Sequence, residues 1–237
     1  MVFEKTLAEI VDENYVYARA LHYLGISFFK NPNKSLNIVC EERGLDREKV
    51  IRSFYLFDQC ERLSFKELDT YPTDLLLEYL RHSHHLFIKD KLPFIVHLAK
   101  NCESDMELHR LLPEFIEDFI SHIYEEEDTV FRYVKVLSDI VKGDLSNPIS
   151  RLMPYRKFSL SEEFEHHQND DEMNAIRILV DSLKPKSQKE EVLIKEVRAF
   201  DREMLYHAEI ENHIFFPKAI SLEKEAFEIL KRTSILN

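Results

Sequence analysis

From about residue 73 to residue 216, apolar side chains recur at alternating steps of three and four, the spacing of one face of an α-helix. Four long periodic segments stand out, near 73–100, 106–142, 159–183 and 188–216, followed by a short tail helix from about Ser221. Pro72, with Thr73 and Asp74 as capping candidates, marks the start of the first segment, and Ser159-Leu160-Ser161-Glu162 gives the third a capping-box spacing. Pro93 should kink or break the first segment, and Pro217 should end the fourth. Gly and Pro signals place loops at 143–158 and 184–187. Residues 1–62 carry two or three shorter helical patterns, interrupted at GISFFKNPNKS, 25–35. The expected fold is all-α: an antiparallel four-helix bundle with its tail helix over 73–237, preceded by a small N-terminal helical domain over 1–62.

Two of these stripes are interrupted by polar groups. In the fourth segment Leu193, Val197, Phe200, Met204, His207, Glu211 and Ile214 form one line; in the second, Leu112, Phe115, Phe119, His122, Glu126 and Tyr133 do the same. The stretches HIYEEEDTVF (122–131) and HAEIENHIFF (207–216) align without gaps, sharing His, Glu and Phe at their first, fifth and tenth places. In the third segment His166 lines up with Met173, Ile176, Val180 and Leu183, so periodicity prefers it to His167. In the first, His85 aligns with Ile88, Leu92, Ile95 and Ala99, whereas His84 aligns with Leu77, Leu80 and Ile88, and the pattern does not choose.

A single inward His–acid pair is usually a hydrogen-bonded pair in a core. Positions 85, 122, 166 and 207, however, are spaced about one helix and loop apart, so all four could share one level of an antiparallel bundle. Unpaired buried carboxylates and imidazoles are costly, and a cation resolves the cost. Four imidazoles and two carboxylates exceed one tetrahedral ion and suit two metals bridged by Glu126 and Glu211. Imidazole accepts several metals, but bridged N/O sites in bundles favour iron or manganese, and iron is expected. His22, His82, His97, His109 and His213 repeat in no such register and are expected at the surface or half-buried, as is most of the EEED run at 125–128.

Composition narrows the class further. Three glycines, no tryptophan and 32% charged residues suit helices, and a formal charge of −12 without a basic block argues against nucleic acid. Cys40, Cys60 and Cys102 form no CxxC pair and suggest neither a disulfide framework nor a thiolate zinc site; Cys102 is expected to be inert. The opening MVFEKTLAEIVDEN lacks the pattern of a signal peptide, and no apolar run reaches the roughly 18 residues of a membrane span, so a cytoplasmic protein with no membrane partner is expected.

RHSHHLFIKDKLP (81–93), SHIYEEEDTVF (121–131), EHHQNDDEMNAI (165–176) and HAEIENHIFFPK (207–218) resemble, in order and spacing, the hemerythrin-like domain of the repair-of-iron-centres family of di-iron stress proteins. The resemblance covers about 73–220. It implies His85, eight residues before Pro93, and His166 as ligands, with His122, Glu126, His207 and Glu211 completing a set for two iron ions, to which an oxo bridge could be added. It also implies repair of iron–sulfur clusters or reduction of nitric oxide under nitrosative and oxidative stress. Candidate partners are then NO or O2, iron–sulfur proteins and a second copy of the chain. The N-terminal stretch LHYLGISFFKNPNKSLNIVCEERGLD (21–46) is similar to the family's small helical domain, yet the family's adjacent cysteine pair is replaced around Phe28, Phe29, Lys30 and Asn31. A further family histidine falls near Met106. Two other classes stay open: an O2- or NO-binding or sensing module without turnover, and a metal-free helical bundle acting through protein contacts.

Overall fold

The computed structural model describes residues 2–58, 64–102, 106–168, 171 and 173–235. Among them every regular element is helical, and no helix is long and apolar enough to cross a membrane. The chain divides into two compact units, Met1–Arg62 with Lys91–Leu112 and Ile176–Phe200, and Leu63–Asp90 with Pro113–Ala175 and Asp201–Asn237. The first unit thus joins the expected N-terminal segment to two later stretches.

In the first unit, Leu7–Glu13, Tyr17–Tyr23, Leu36–Arg43 and Arg47–Asp58 are helical, more pieces than the sequence suggested, with a single 3-10 turn, Phe28–Lys30, in the break at 25–35. Thr6 begins the first of these helices with a full capping box to Glu9. Gly44, at φ 63°, closes Leu36–Arg43 in the left-handed conformation that a side chain would disfavour. Leu7, Ile10, Leu21, Phe28, Leu36 and Val50 are buried, and Arg19 pairs with the buried Glu196. Cys60 lies outside the described residues; Cys40 and Cys102 are buried free thiols.

The second unit holds its core where helices Thr73–Leu86, Arg132–Val141 and Phe216–Ile235 bring together Leu76, Leu77, Leu80, Phe131, Val134, Leu137, Phe215 and Phe216. Burial of such side chains contributes about 1.5–3 kcal/mol each relative to exposure. Pro72, not Thr73 or Asp74, holds the cap position of the first of these helices, and no side chain caps it; Asp74 instead pairs with Lys142 at 2.7 Å. Ser159 accepts from the Glu162 N–H at 3.3 Å, as the capping-box spacing predicts.

The first segment breaks just before Pro93, as expected, but Pro217 does not end the fourth. Helix Thr73–Leu86 passes into a π-helical turn, Phe87–Lys91, and α-geometry resumes at Leu92–Lys100 with Pro93 in its first turn. Likewise Gln188–Ile210 leads through the π-turn Glu211–Phe215 into Phe216–Ile235, so Pro217 interrupts nothing and the tail helix starts at Phe216, not near Ser221. A proline is excluded from a helix interior because its ring meets the carbonyl four residues back and it offers no N–H. A π-turn shifts the ladder by one residue, as in the bond from Phe216 N–H to Glu211 C=O, and opens that clash. A third π-turn, Glu127–Phe131, joins Met106–Glu126 to Arg132–Val141. The third periodic segment is two helices, Leu160–Gln168 and Asn174–Ser182, and the loop at 143–158 contains the short helix Pro148–Leu152 and the 3-10 turn Met153–Tyr155.

Candidate metal centre

Among the described residues, one ligand atom each from His84, Glu126, His207 and Glu211 lies within 4.8 Å of the others, and all four side chains are buried. They belong to the second unit and come from three stretches of helix. His207 and Glu211, one turn apart on Gln188–Ile210 and its π-turn, bring His207 Nε2 to 2.9 Å from Glu211 Oε1. Glu126 ends its helix immediately before the π-turn Glu127–Phe131, and its Oε2 is 3.5 Å from His84 Nε2. His84 and His207 face each other Nε2 to Nε2 at 3.0 Å.

Packing holds the imidazoles still. The His84 ring stacks parallel to Phe131 with centroids 5.4 Å apart, and Phe131 meets Phe215 edge-on at 5.4 Å. Phe87 lies edge-on to His207. His167 joins the group from outside, its Nε2 3.0 Å from Glu211 Oε2 and its Nδ1 3.3 Å from Asn212 Oδ1. His122 is half-buried, its ring 6.4 Å from that of His167.

Of the six residues expected from the sequence, Glu126, His207 and Glu211 are therefore brought together, with His122 beside His167. The other two expectations are corrected: His85 and His166 are exposed, and their neighbours His84 and His167 turn toward the carboxylates. Both corrections have one cause, a lost helical phase. The alignment of His85 with Leu92, Ile95 and Ala99 runs across the π-turn Phe87–Lys91, whose added residue rotates everything beyond it by about 100°. Leu77 and Leu80, on the same side of that turn, select His84. The alignment of His166 with Ile176 and Val180 runs across the break between Gln168 and Asn174. His22 and His97 are half-buried and His82, His109 and His213 exposed, in line with expectation.

Glu127 was missed. It belongs to the EEED run expected to face solvent, yet His84 Nδ1 lies 3.0 Å from its Oε1. That contact determines the proton. A carboxylate only accepts, so Nδ1 carries the hydrogen. Burial, only partly offset by the Glu127 hydrogen bond, pushes the pKa of His84 down and keeps the ring neutral. Its Nε2 is then a lone pair, aimed at Glu126 Oε2 and His207 Nε2. The hydrogen bond from His84 in turn holds the Glu127 carboxyl below its ordinary range. Burial alone would raise the Glu211 carboxyl, but His207 and His167 hold it well below that range.

Lone pairs converging in a buried space require a cation or a shared proton. The donor set fits a metal: two donors about 2.1 Å from one ion at a right angle are about 3 Å apart, and the two shortest separations here are 3.0 and 2.9 Å. The 2.9 Å approach of His207 to Glu211 Oε1 also lacks the alignment of a hydrogen bond. The buried quartet can thus hold a metal ion. No protein-family model, curated protein or solved structure matches the chain.

Proposed function

We propose that the second unit is a hemerythrin-like four-helix di-iron domain of the nitrosative and oxidative stress response, which repairs iron–sulfur clusters or reduces nitric oxide in the cytoplasm. One observation carries this reading: the His84 Nε2 lone pair, fixed by Glu127, faces His207 and Glu126 at 3.0 and 3.5 Å inside a buried pocket of donors. His84 and His207 would hold one iron and His122 and His167 the other, with Glu126 and Glu211 shared between them. When bound, the pair would supply open positions for NO or O2 and a change of oxidation state. The chain's own part is to turn the Nε2 atoms of His84, His207 and His167 toward the Glu126 and Glu211 carboxylates, and to exclude water with Phe87, Phe131 and Phe215.

The test is to purify the protein under anaerobic conditions, count iron and add NO. Close to two irons per chain and a new visible absorption on NO addition support the reading; fewer than about one iron, or an unchanged spectrum, ends it.

A binding or sensing module without turnover is the second reading. It is favoured by the thiols: Cys40 and Cys102 are buried, burial pushes both thiols up, Cys102 to about 11, and Phe28 to Asn31 stand where a cysteine pair would be required. Reversible oxygenation with no NO consumed would select it.

A further inference from the structure

The two His-x-x-x-Glu stretches share more than their first and fifth places. The sixth place is Glu127 in one and Asn212 in the other, and in both an oxygen of that side chain lies against Nδ1 of a histidine from another helix, Glu127 Oε1 at 3.0 Å from His84 and Asn212 Oδ1 at 3.3 Å from His167. Each of these histidines turns its Nε2 to a carboxylate of the pair, His84 to Glu126 and His167 to Glu211. One arrangement therefore occurs twice: a shared carboxylate, a histidine meeting it through Nε2, and the next residue along the chain fixing that histidine from behind.

The two copies differ in charge and in shelter. Glu127 is an anion and Asn212 a neutral amide. An imidazole whose Nδ1–H points at a carboxylate is a stronger donor at Nε2 than one backed by an amide, and changes to such outer partners alter metal affinity about 10–100-fold. The His84 side chain is 3% exposed and that of His167 14%, so water competes more at the second. His84, Glu126, His207 and Glu211 also form a complete quartet without His167.

We propose that Glu127 and Asn212 are positioning residues that fix the His84 and His167 tautomers, and that their carboxylate–amide difference makes the two metal positions unequal, the His84 position the tighter. This rests on the two-metal reading above. The position backed by Asn212 fills last and empties first.

The test uses the full chain in two measurements. In metal-free protein, imidazole nitrogen NMR shifts should show His84 protonated at Nδ1; Glu127→Gln should retain that tautomer and Glu127→Leu lose it. In anaerobic titration with ferrous or cobaltous ion, two steps should appear, separated about tenfold or more. Glu127→Gln should weaken the tighter step, Asn212→Asp should strengthen the weaker, and the double swap should reverse their order. Two metals bound in equal steps, or steps that neither substitution moves, overturn the inequality while leaving the di-metal reading standing. No bound metal overturns both. An unchanged His84 tautomer in Glu127→Leu overturns the role of Glu127 whatever the metal does.

Discussion

Replacing Glu211 by Gln keeps the side chain's volume and removes its charge, at a carboxylate that is 1% exposed and 2.9 and 3.0 Å from two imidazole nitrogens. If Glu211 serves as a structural ion-pair partner, breaking a buried pair costs about 3–5 kcal/mol in any buffer. If it serves as a metal ligand, the loss in chelator is smaller, about 1–3 kcal/mol, because the amide oxygen still accepts one hydrogen bond and a buried charge has gone. The remainder of the loss then appears only with metal. Metal at a hundred times its dissociation constant stabilises the native protein by about 2.7 kcal/mol, and a variant whose affinity has fallen a hundredfold forgoes most of that. Thermal unfolding followed by circular dichroism should therefore show the gap between native protein and variant widening by about 5–10 °C between chelator and anaerobic ferrous buffer. An equal gap in both buffers would refute the metal-ligand argument and leave an ion pair.

Phe131→Ala removes the ring stacked under His84 and should cost about 3–5 kcal/mol in urea denaturation, since Phe131 is fully buried. In metal-free protein His84 is held below its ordinary pKa by burial, so the unfolded chain takes up a proton that the folded chain resists. Stability should be full above about pH 6.5 and fall as pH drops below it. Glu211 and Glu127, both held low, should keep their contributions until about pH 4.3. A urea midpoint that rises as pH falls from 7 to 5 in chelator would contradict this. Cys102, with its thiol pushed up to about 11, should react with iodoacetamide at pH 8 roughly a hundredfold more slowly in native than in unfolded protein, as read by peptide mass.

How far the site could be read from the sequence depended on whether the helical phase was continuous. His122 and Glu126 follow Leu112, Phe115 and Phe119 on one uninterrupted helix, and His207 and Glu211 follow Leu193, Val197 and Phe200 on another; each of these four precedes its π-turn or begins it. His84 was ambiguous because its stripe could be followed in two directions, one of which crossed a π-turn. His167 was hidden by a helix break that periodicity read as continuous. Glu127 and Asn212 lie off the apolar stripe, where a hydrophobic pattern carries no signal. They occupy the same sixth place of the repeat, but there the two residues differ, so the alignment does not mark them.

The π-turns themselves require an explanation, and proline supplies only part of one. Pro93 and Pro217 each stand six residues after the start of a π-turn, at Phe87 and Glu211, where the shifted ladder spares the ring its clash. The same place after Glu127 is Tyr133, which has an N–H and no ring on its nitrogen, yet the π-turn is there. What all three turns share is a buried site residue at or just before their first position: His84 before Phe87, Glu126 before Glu127, and Glu211 itself. A π-turn costs hydrogen-bond geometry and persists where something else is gained. Here the gain is rotational. The extra residue lets the helix place a polar ligand inward at or before the start of the turn and return Phe131, Phe215 and Phe216 to the apolar core at its end. A uniform α-helix would set Phe131 and Phe216, each five residues after its carboxylate, about 140° away from it, whereas the wider π-turn brings positions five apart back toward one side, so the aromatic wall stands next to the carboxylates.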